Sequence, residues 1–157
     1  MIESTKTATA PLLRVVLEPD RVPRELQSFD HWIVHRDKEP FDPRTGERAS
    51  TRDSRTWGAF EEAVAAYTHG GWDGVGFVFS SGDPYTGIDL DGVRDPDTGD
   101  LEPWAAQLIK ASGGYAEVSP SGRGVHLYLK GDVPSRKGSG IEVYSTKRYF
   151  RVTGVCP

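Results

Sequence analysis

Residues 86–92 read TGIDLDG, and within them Asp89 and Asp91 stand two positions apart. A β-strand turns successive side chains to opposite faces. Both carboxylates therefore point one way, and Ile88 and Leu90 the other. Two further stretches repeat the pattern: Val125-His126-Leu127 and Ile141-Glu142-Val143. If the three strands are neighbours, Asp89, Asp91, His126 and Glu142 converge on one open sheet face, and the aliphatic face packs on helices. Hard divalent cations take carboxylate oxygens, and magnesium uses one or two of them with water and substrate phosphates. Two such ions can hold the attacking and leaving oxygens of a phosphoryl transfer. Without an ion, one carboxylate of the set should hold its proton at raised pKa. His126 need not be a ligand, since beside a phosphate it serves as a hydrogen-bond donor. Taken singly, each of these residues suits a solvated sheet face. Their recurrence on three strands is what points to a site.

A second pattern leads into the histidine strand. SPSGRGVH, residues 119–126, offers Ser119, Ser121, Arg123 and Gly124 just before His126. Glycines let backbone approach a ligand, and hydroxyls and free N–H groups bind phosphate oxygens. No GK[ST] follows the glycines, so this is not a Walker loop. Alone it reads as a hairpin turn; feeding His126 directly, it reads better as a cradle for a triphosphate.

The elements that must position these residues are short. Residues 1–20 read as a flexible lead-in containing LLRVVL, and 21–157 as one domain. VPRELQS suggests a short helix or turn, and HWIVHR a strand. SRTWGAFEEAVAAYTHGG predicts the strongest helix, with Trp57, Phe60, Val64 and Tyr67 at helical spacing and Gly70-Gly71 as its stop. GVGFVFS and TGIDLDG are strands, and the tight DPYTG link predicts that they form a hairpin. EPWAAQLIKASG predicts a second helix with Trp104, Leu108 and Ile109 inward. YAEVS, GVHLYLK, GIEVYS and RYFRVTG complete the strands. The D-P-x-T-G pattern at Asp42–Gly46 and Asp95–Gly99 reads as two turns. A calcium loop starting at Asp89 fails on spacing, because Arg94 sits where its glycine must be. The class is α+β, with an antiparallel or mixed sheet and helices on one face.

Bulk properties narrow the function. The 157 residues suffice for one domain with a core. No apolar run approaches the ~20 residues of a membrane span, and no signal-peptide layout opens the chain. The lone Cys156 excludes an internal disulfide, so a reducing cytoplasm is the expected setting. Net charge is −4, against a simple basic nucleic-acid binder. Its distribution is uneven: residues 83–102 carry seven acidic side chains against one arginine, and residues 110–157 carry eight basic against three acidic. A metal site beside a polyanion site suits that split.

FVFSSGDPYTGIDLDG, YAEVSPSGRGVHLYLKG and GIEVYSTKRYFRVTG resemble, in order, the three signature blocks of archaeo-eukaryotic-type primase-polymerases. The likeness is to the domain at the N-terminus of phage and plasmid replication proteins. ASTRDSRTWGAFEEA and DPDTGDLEPWA are also similar to that group, and the resemblance runs from about Val22 to Gly154. It implies an RRM-like catalytic sheet with a small N-terminal αβ unit. It implies template-directed nucleotidyl transfer on single-stranded DNA template and primer, with dNTPs (or NTPs) and two Mg²⁺ or Mn²⁺ ions. Asp89, Asp91 and Glu142 would hold the metals. Ser119, Ser121 and His126 would hold the nucleotide phosphates, with Arg123, Gly124, Lys137 and Arg148 as further nucleotide or template contacts. The setting implied is a bacterial host cell. Two departures stand out. WIVHRDKEP is short, with Lys38 its only lysine, where relatives are longer and more basic. The chain also ends at Cys156-Pro157, where relatives continue into a helical domain and often a helicase, so an excised domain is expected.

The alternative is a nucleotide- or DNA-binding module that needs absent domains for catalysis. A nicking nuclease on a similar sheet is disfavoured: it needs paired histidines, and Gly124 and Tyr128 flank His126 at that spacing.

Overall fold

The structure, a computed structural model, describes residues 15–131, 136–138 (backbone only) and 140–157. Most of the expected lead-in therefore lies outside the described residues. From Val15 onward the chain is tied down: Val15 N–H donates to Pro120 O and Glu18 N–H to Thr153 O (2.7 Å).

Two antiparallel sheets form the domain. One contains β1 (Trp32–Arg36), β2 (Glu39–Phe41), β3 (Gly74–Phe79) and β9 (Arg148–Val152), in the order β2-β1-β3-β9. The other contains β4 (Tyr85–Leu90), β5 (Tyr115–Val118), β6 (Val125–Lys130), β7 (Arg136–Gly138) and β8 (Ile141–Tyr144), in the order β5-β6-β4-β8-β7. The helices are α1 (Arg24–Gln27), α2 (Phe60–His69) and α3 (Pro103–Ser112). The α+β class stands as expected. None of the helices in the described residues is long and apolar enough to cross a membrane.

Alternation explains the layers. The outer face of the five-stranded sheet presents Ile88, Leu90, Ala116, Val125 and Ile141, which pack against Ala105 and Ile109 of α3. Its inner face carries Tyr85 and Tyr128, which join Trp32, Phe77, Phe79 and Phe150 of the other sheet in the main core. The α2 residues Phe60 and Ala63 close that core from the far end. The acidic face is thus not wholly open, as the sequence suggested. One end of it lies under the second sheet.

The predicted hairpin of β3 and β4 does not form. The strands belong to different sheets, β3 pairing with β1 and β9, and β4 with β6 and β8. The Asp83 carboxylate accepts from Ser80 N–H and Tyr85 N–H, 2.8 Å each, and holds the turn that carries the chain across. The strands then pack face to face, with Phe77–Tyr85 ring centroids 6.1 Å apart. The long helix also starts late. Trp32 and Gly58 exchange backbone hydrogen bonds of 3.0 and 2.8 Å, so residues before Ala59 extend the sheet edge. The Ala59 N–H is then taken by the Glu62 side chain at 2.9 Å, which marks the helix start. In α3, Ala105 and Ile109 face inward, while Trp104 and Leu108, expected inside, are exposed by 46% and 36%. They sit one position from the inward pair, about 100° around the helix.

Both D-P-x-T-G segments fold as the expected turns. Gly46 N–H donates to Asp42 O and Gly99 N–H to Asp95 O, 2.8 Å each, and both glycines have positive φ (77° and 81°).

Gly87 admits the joint between the sheets. A methyl there would lie 2.5 Å from Phe79 Cζ and 2.6 Å from Phe150 Cε2. Gly87→Ala is expected to destabilise the fold by about 1–3 kcal/mol through overpacking, measured by denaturant unfolding. An unchanged midpoint would show that the two rings relocate freely.

His35 of β1 is buried, and its Nδ1 has no hydrogen-bond partner among the described residues. Burial lowers its pKa to about 4, with Arg151 adding to the shift and Asp73 opposing it. In the unfolded chain the ring titrates near its ordinary value of about 6.5. Between these values the unfolded state binds the proton and the native state does not, so stability falls as pH drops through this window. The loss is expected to reach the order of 3 kcal/mol near pH 4. Urea unfolding at pH 7.5 and 4.5, on wild type and His35→Gln, checks it: the His35 contribution should vanish in the variant.

Candidate active site

The central strand β4 sets the site. Asp89 stands directly opposite His126 on one neighbour and Glu142 on the other. The outer strands continue the row, with Glu117 opposite His126 and Lys137 opposite Glu142. Directly paired residues share a face. One row therefore crosses all five strands in the order Glu117, His126, Asp89, Glu142, Lys137. The Lys137 side chain lies outside the described part of the structure.

His126 is held from three directions. Its ring stacks on Phe150 at 4.1 Å with 9° between planes. Its Nδ1 lies 3.4 Å from Glu117 Oε1, and its Nε2 lies 3.7 Å from Asp89 Oδ1. Asp89 is partly open, with 28% of its side chain exposed. Burial raises its pKa above the ordinary carboxylate value, and the Asp91 and Glu142 charges push the same way. His126 and Arg151 pull against them.

Asp91 follows the end of β4 and is exposed, its N–H donating to Gly140 O at 2.9 Å. Glu142 accepts from the Tyr144 hydroxyl at 2.8 Å. Burial, with Glu142 beside it, raises the Tyr144 pKa and keeps that phenol a donor.

Three carboxylates offer the hard oxygen donors that Mg²⁺ or Mn²⁺ prefers. The mutual repulsion felt by Asp89 is what a cation would relieve. Among the described residues, no three His, Cys, Asp or Glu side chains are drawn close enough to form a ready ligand group. The donors suit such an ion by their chemistry, and water and phosphate oxygens would have to supply most of its shell.

The Ser119–Gly124 segment is a loop of the β5–β6 hairpin. Ser119 and Ser121 hydroxyls lie 3.2 Å apart. The amides of Ser119, Gly122 and Arg123 are spent within the loop, on Gly124 O, Ser119 O and Ser121 Oγ. Ser119 is buried, and the exposed Ser121 and Arg123 side chains remain as outward donors, so these amides form no cradle here. Gly124 lets the loop lie against the end of β4, since a methyl there would meet Leu90 O at 2.6 Å.

Arg148 lies over the Tyr144 ring at 5.4 Å, on the rim of the row. A cleft of about 420 Å³ opens there, lined by Ser50, Thr51, Tyr144, Lys147, Arg148 and Tyr149, among others. A cavity of about 460 Å³ near α1 is lined by none of Asp89, His126 and Glu142.

Sequence reasoning overlooked Glu117 and Phe150. The signal for Glu117 was present, because Tyr115-Ala116-Glu117-Val118 alternates like the other three strands. Phe150 carries no such signal, since it reaches the row from the other sheet.

No protein-family model matches the chain. A DNA primase-polymerase of Nitratiruptor phage NrS-1 is 37% identical to it over 143 residues, 83% of this chain. The chain is a primase-polymerase-type domain. It spans about a fifth (20%) of that relative's length.

The charge crowding in this primase-polymerase-type domain has a measurable consequence. Asp89→Asn removes a carboxylate that burial and like charges disfavour. The variant is expected to melt a few degrees above wild type in chelator-treated samples. Scanning calorimetry with and without Mn²⁺ checks it: added metal should raise the melting temperature of wild type more than that of the variant.

Proposed function

We propose that the domain carries out metal-dependent, template-directed nucleotidyl transfer, as a DNA polymerase or a polymerase-primase, in phage or plasmid replication. The observation that supports this most is the row in which Asp89 is paired to His126 and to Glu142, with Asp91 just past the end of that strand. The relative's description as a DNA primase-polymerase points the same way.

In this reading the five-stranded sheet is the RRM-like catalytic surface. Asp89, Asp91 and Glu142 would hold two Mg²⁺ or Mn²⁺ ions, which when bound neutralise phosphate charge and lower the pKa of a coordinated hydroxyl. The chain's own groups position the reactants. His126, with the Ser119 and Ser121 hydroxyls and the Arg123 guanidinium, orients the triphosphate of a dNTP. Tyr144, Arg148 and Lys147 form the wall of the adjoining cleft, an aromatic and basic surface suited to a nucleotide unit. The primer 3′-oxygen bonds to the α-phosphorus, and the bond from that phosphorus to the bridging oxygen breaks. Pyrophosphate leaves, and the hydroxyl proton passes to solvent. Catalysis is then positioning and charge stabilisation, with no protein nucleophile. Single-stranded template and primer are the partners. A C-terminal helical domain and a helicase are expected neighbours in a full-length protein.

Primer extension on a single-stranded template, with dNTPs and Mg²⁺ or Mn²⁺, tests the reading. Asp89→Ala combined with Asp91→Ala is expected to lower extension at least about 100-fold, and template affinity should fall as salt rises. Equal activity in wild type and the double variant would sink the assignment. Binding of dNTP or DNA without product under either metal would select the binding-module alternative.

A further inference from the structure

Glu117 is the carboxylate of the row that no substrate can reach. It is fully buried, and its oxygens are surrounded by donors. Oε2 accepts from the backbone amides of Thr153 (3.1 Å) and Gly154 (2.8 Å) and from the Tyr115 hydroxyl (3.0 Å). Oε1 accepts from the Tyr128 hydroxyl at 2.9 Å and faces His126 Nδ1 at 3.4 Å. Donors converging in this way are the surroundings of an ionised carboxylate, which can only accept.

We propose that Glu117 is a positioning residue for nucleotidyl transfer. It takes the proton on His126 Nδ1 and so fixes which ring nitrogen, Nε2, faces Asp89 and the incoming phosphates. The identity of the proton-bearing nitrogen follows from the hydrogen bond the other makes. Phe150 fixes the ring plane by stacking, and Glu117 chooses between the two orientations that plane allows. The assignment of Nε2 to phosphate rests on the polymerase reading. The assignment of the Nδ1 proton does not.

Glu117→Gln separates this role from a structural tie. The two backbone amides require an oxygen at the Oε2 position, so the new NH₂ must sit where Oε1 was. The Tyr128 hydroxyl can rotate to accept from it, but His126 Nδ1 must then lose its proton to serve as an acceptor. NMR of the full chain, with histidine carrying NMR-active nitrogen at mildly alkaline pH, reads the tautomer. Wild type is expected to carry the proton on Nδ1, and Glu117→Gln on Nε2. Tyr115→Phe removes a Glu117 hydrogen bond without touching the histidine, and should keep the wild-type pattern. Identical tautomers in wild type and Glu117→Gln, or the same change in Tyr115→Phe, would overturn the proposal. In primer extension, Glu117→Gln should raise KM for dNTP about 10–100-fold, with primer-template affinity unchanged. Unchanged KM in an active enzyme overturns the role in phosphate binding. A tautomer switch between wild type and Glu117→Gln, in a wild-type protein that extends no primer, instead overturns the polymerase reading and supports the orientation by Glu117.

Discussion

Phe150 belongs to one sheet and rests its ring flat against a histidine of the other. That stacked pair is the joint of the domain. Phe150 also meets Phe79, Tyr128 and Tyr144, all within 5.4 Å between ring centroids. It can do so only because Gly87 leaves the space open. Apolar burial is non-directional, but an aromatic cluster with one histidine in it has a definite geometry. The same contact that buries one end of the acidic face therefore sets the plane of His126. Fold stability and site geometry share these residues.

The row of ionisable groups divides into a satisfied half and an unsatisfied half. Glu117 is buried, and its cost of desolvation is offset by backbone amides and tyrosine hydroxyls. Asp89 is partly open and faces the charges of Asp91 and Glu142, with the His126 imidazole and Arg151 pulling against them. Structural carboxylates are completed by the protein. Carboxylates that await a ligand are not, and the strain of crowding them is characteristic of functional positions. The contrast within one row separates the two kinds.

The described residues of the row and its rim come from residues 85–154, with α3 and a two-turn loop between. Residues before β3 contribute Ser50 and Thr51 to the cleft and two of the four strands of the second sheet. That sheet is closed by β9, so the early part of the chain is locked to the last strand. The site is therefore supported by both ends of a domain that corresponds to about a fifth of the phage relative.

Alternation with period two is a property of the backbone itself, so the sequence alone determined which residues of each strand share a face. Ile88 and Leu90 against Asp89, Val125 and Leu127 against His126, and Ile141 and Val143 against Glu142 were legible for that reason, and with them the row these residues form and the α+β class. Helix content was legible from spacing, but not the inward face of α3, because Trp104 is apolar wherever it points. Strand pairing is decided between distant segments. The Asp83 turn and the aromatic residues of β3 and β4 made face-to-face packing win over a local hairpin, and no residue in DPYTG announces that. Burial likewise depends on what lands above a face. A lone strand cannot tell Glu117, enclosed by Tyr115, Tyr128 and the Thr153–Gly154 backbone, from the solvent-facing Asp91. The sequence determined the faces. Only tertiary packing decided which faces met, because that choice minimises the apolar area and the unpaired polar groups of the whole chain at once.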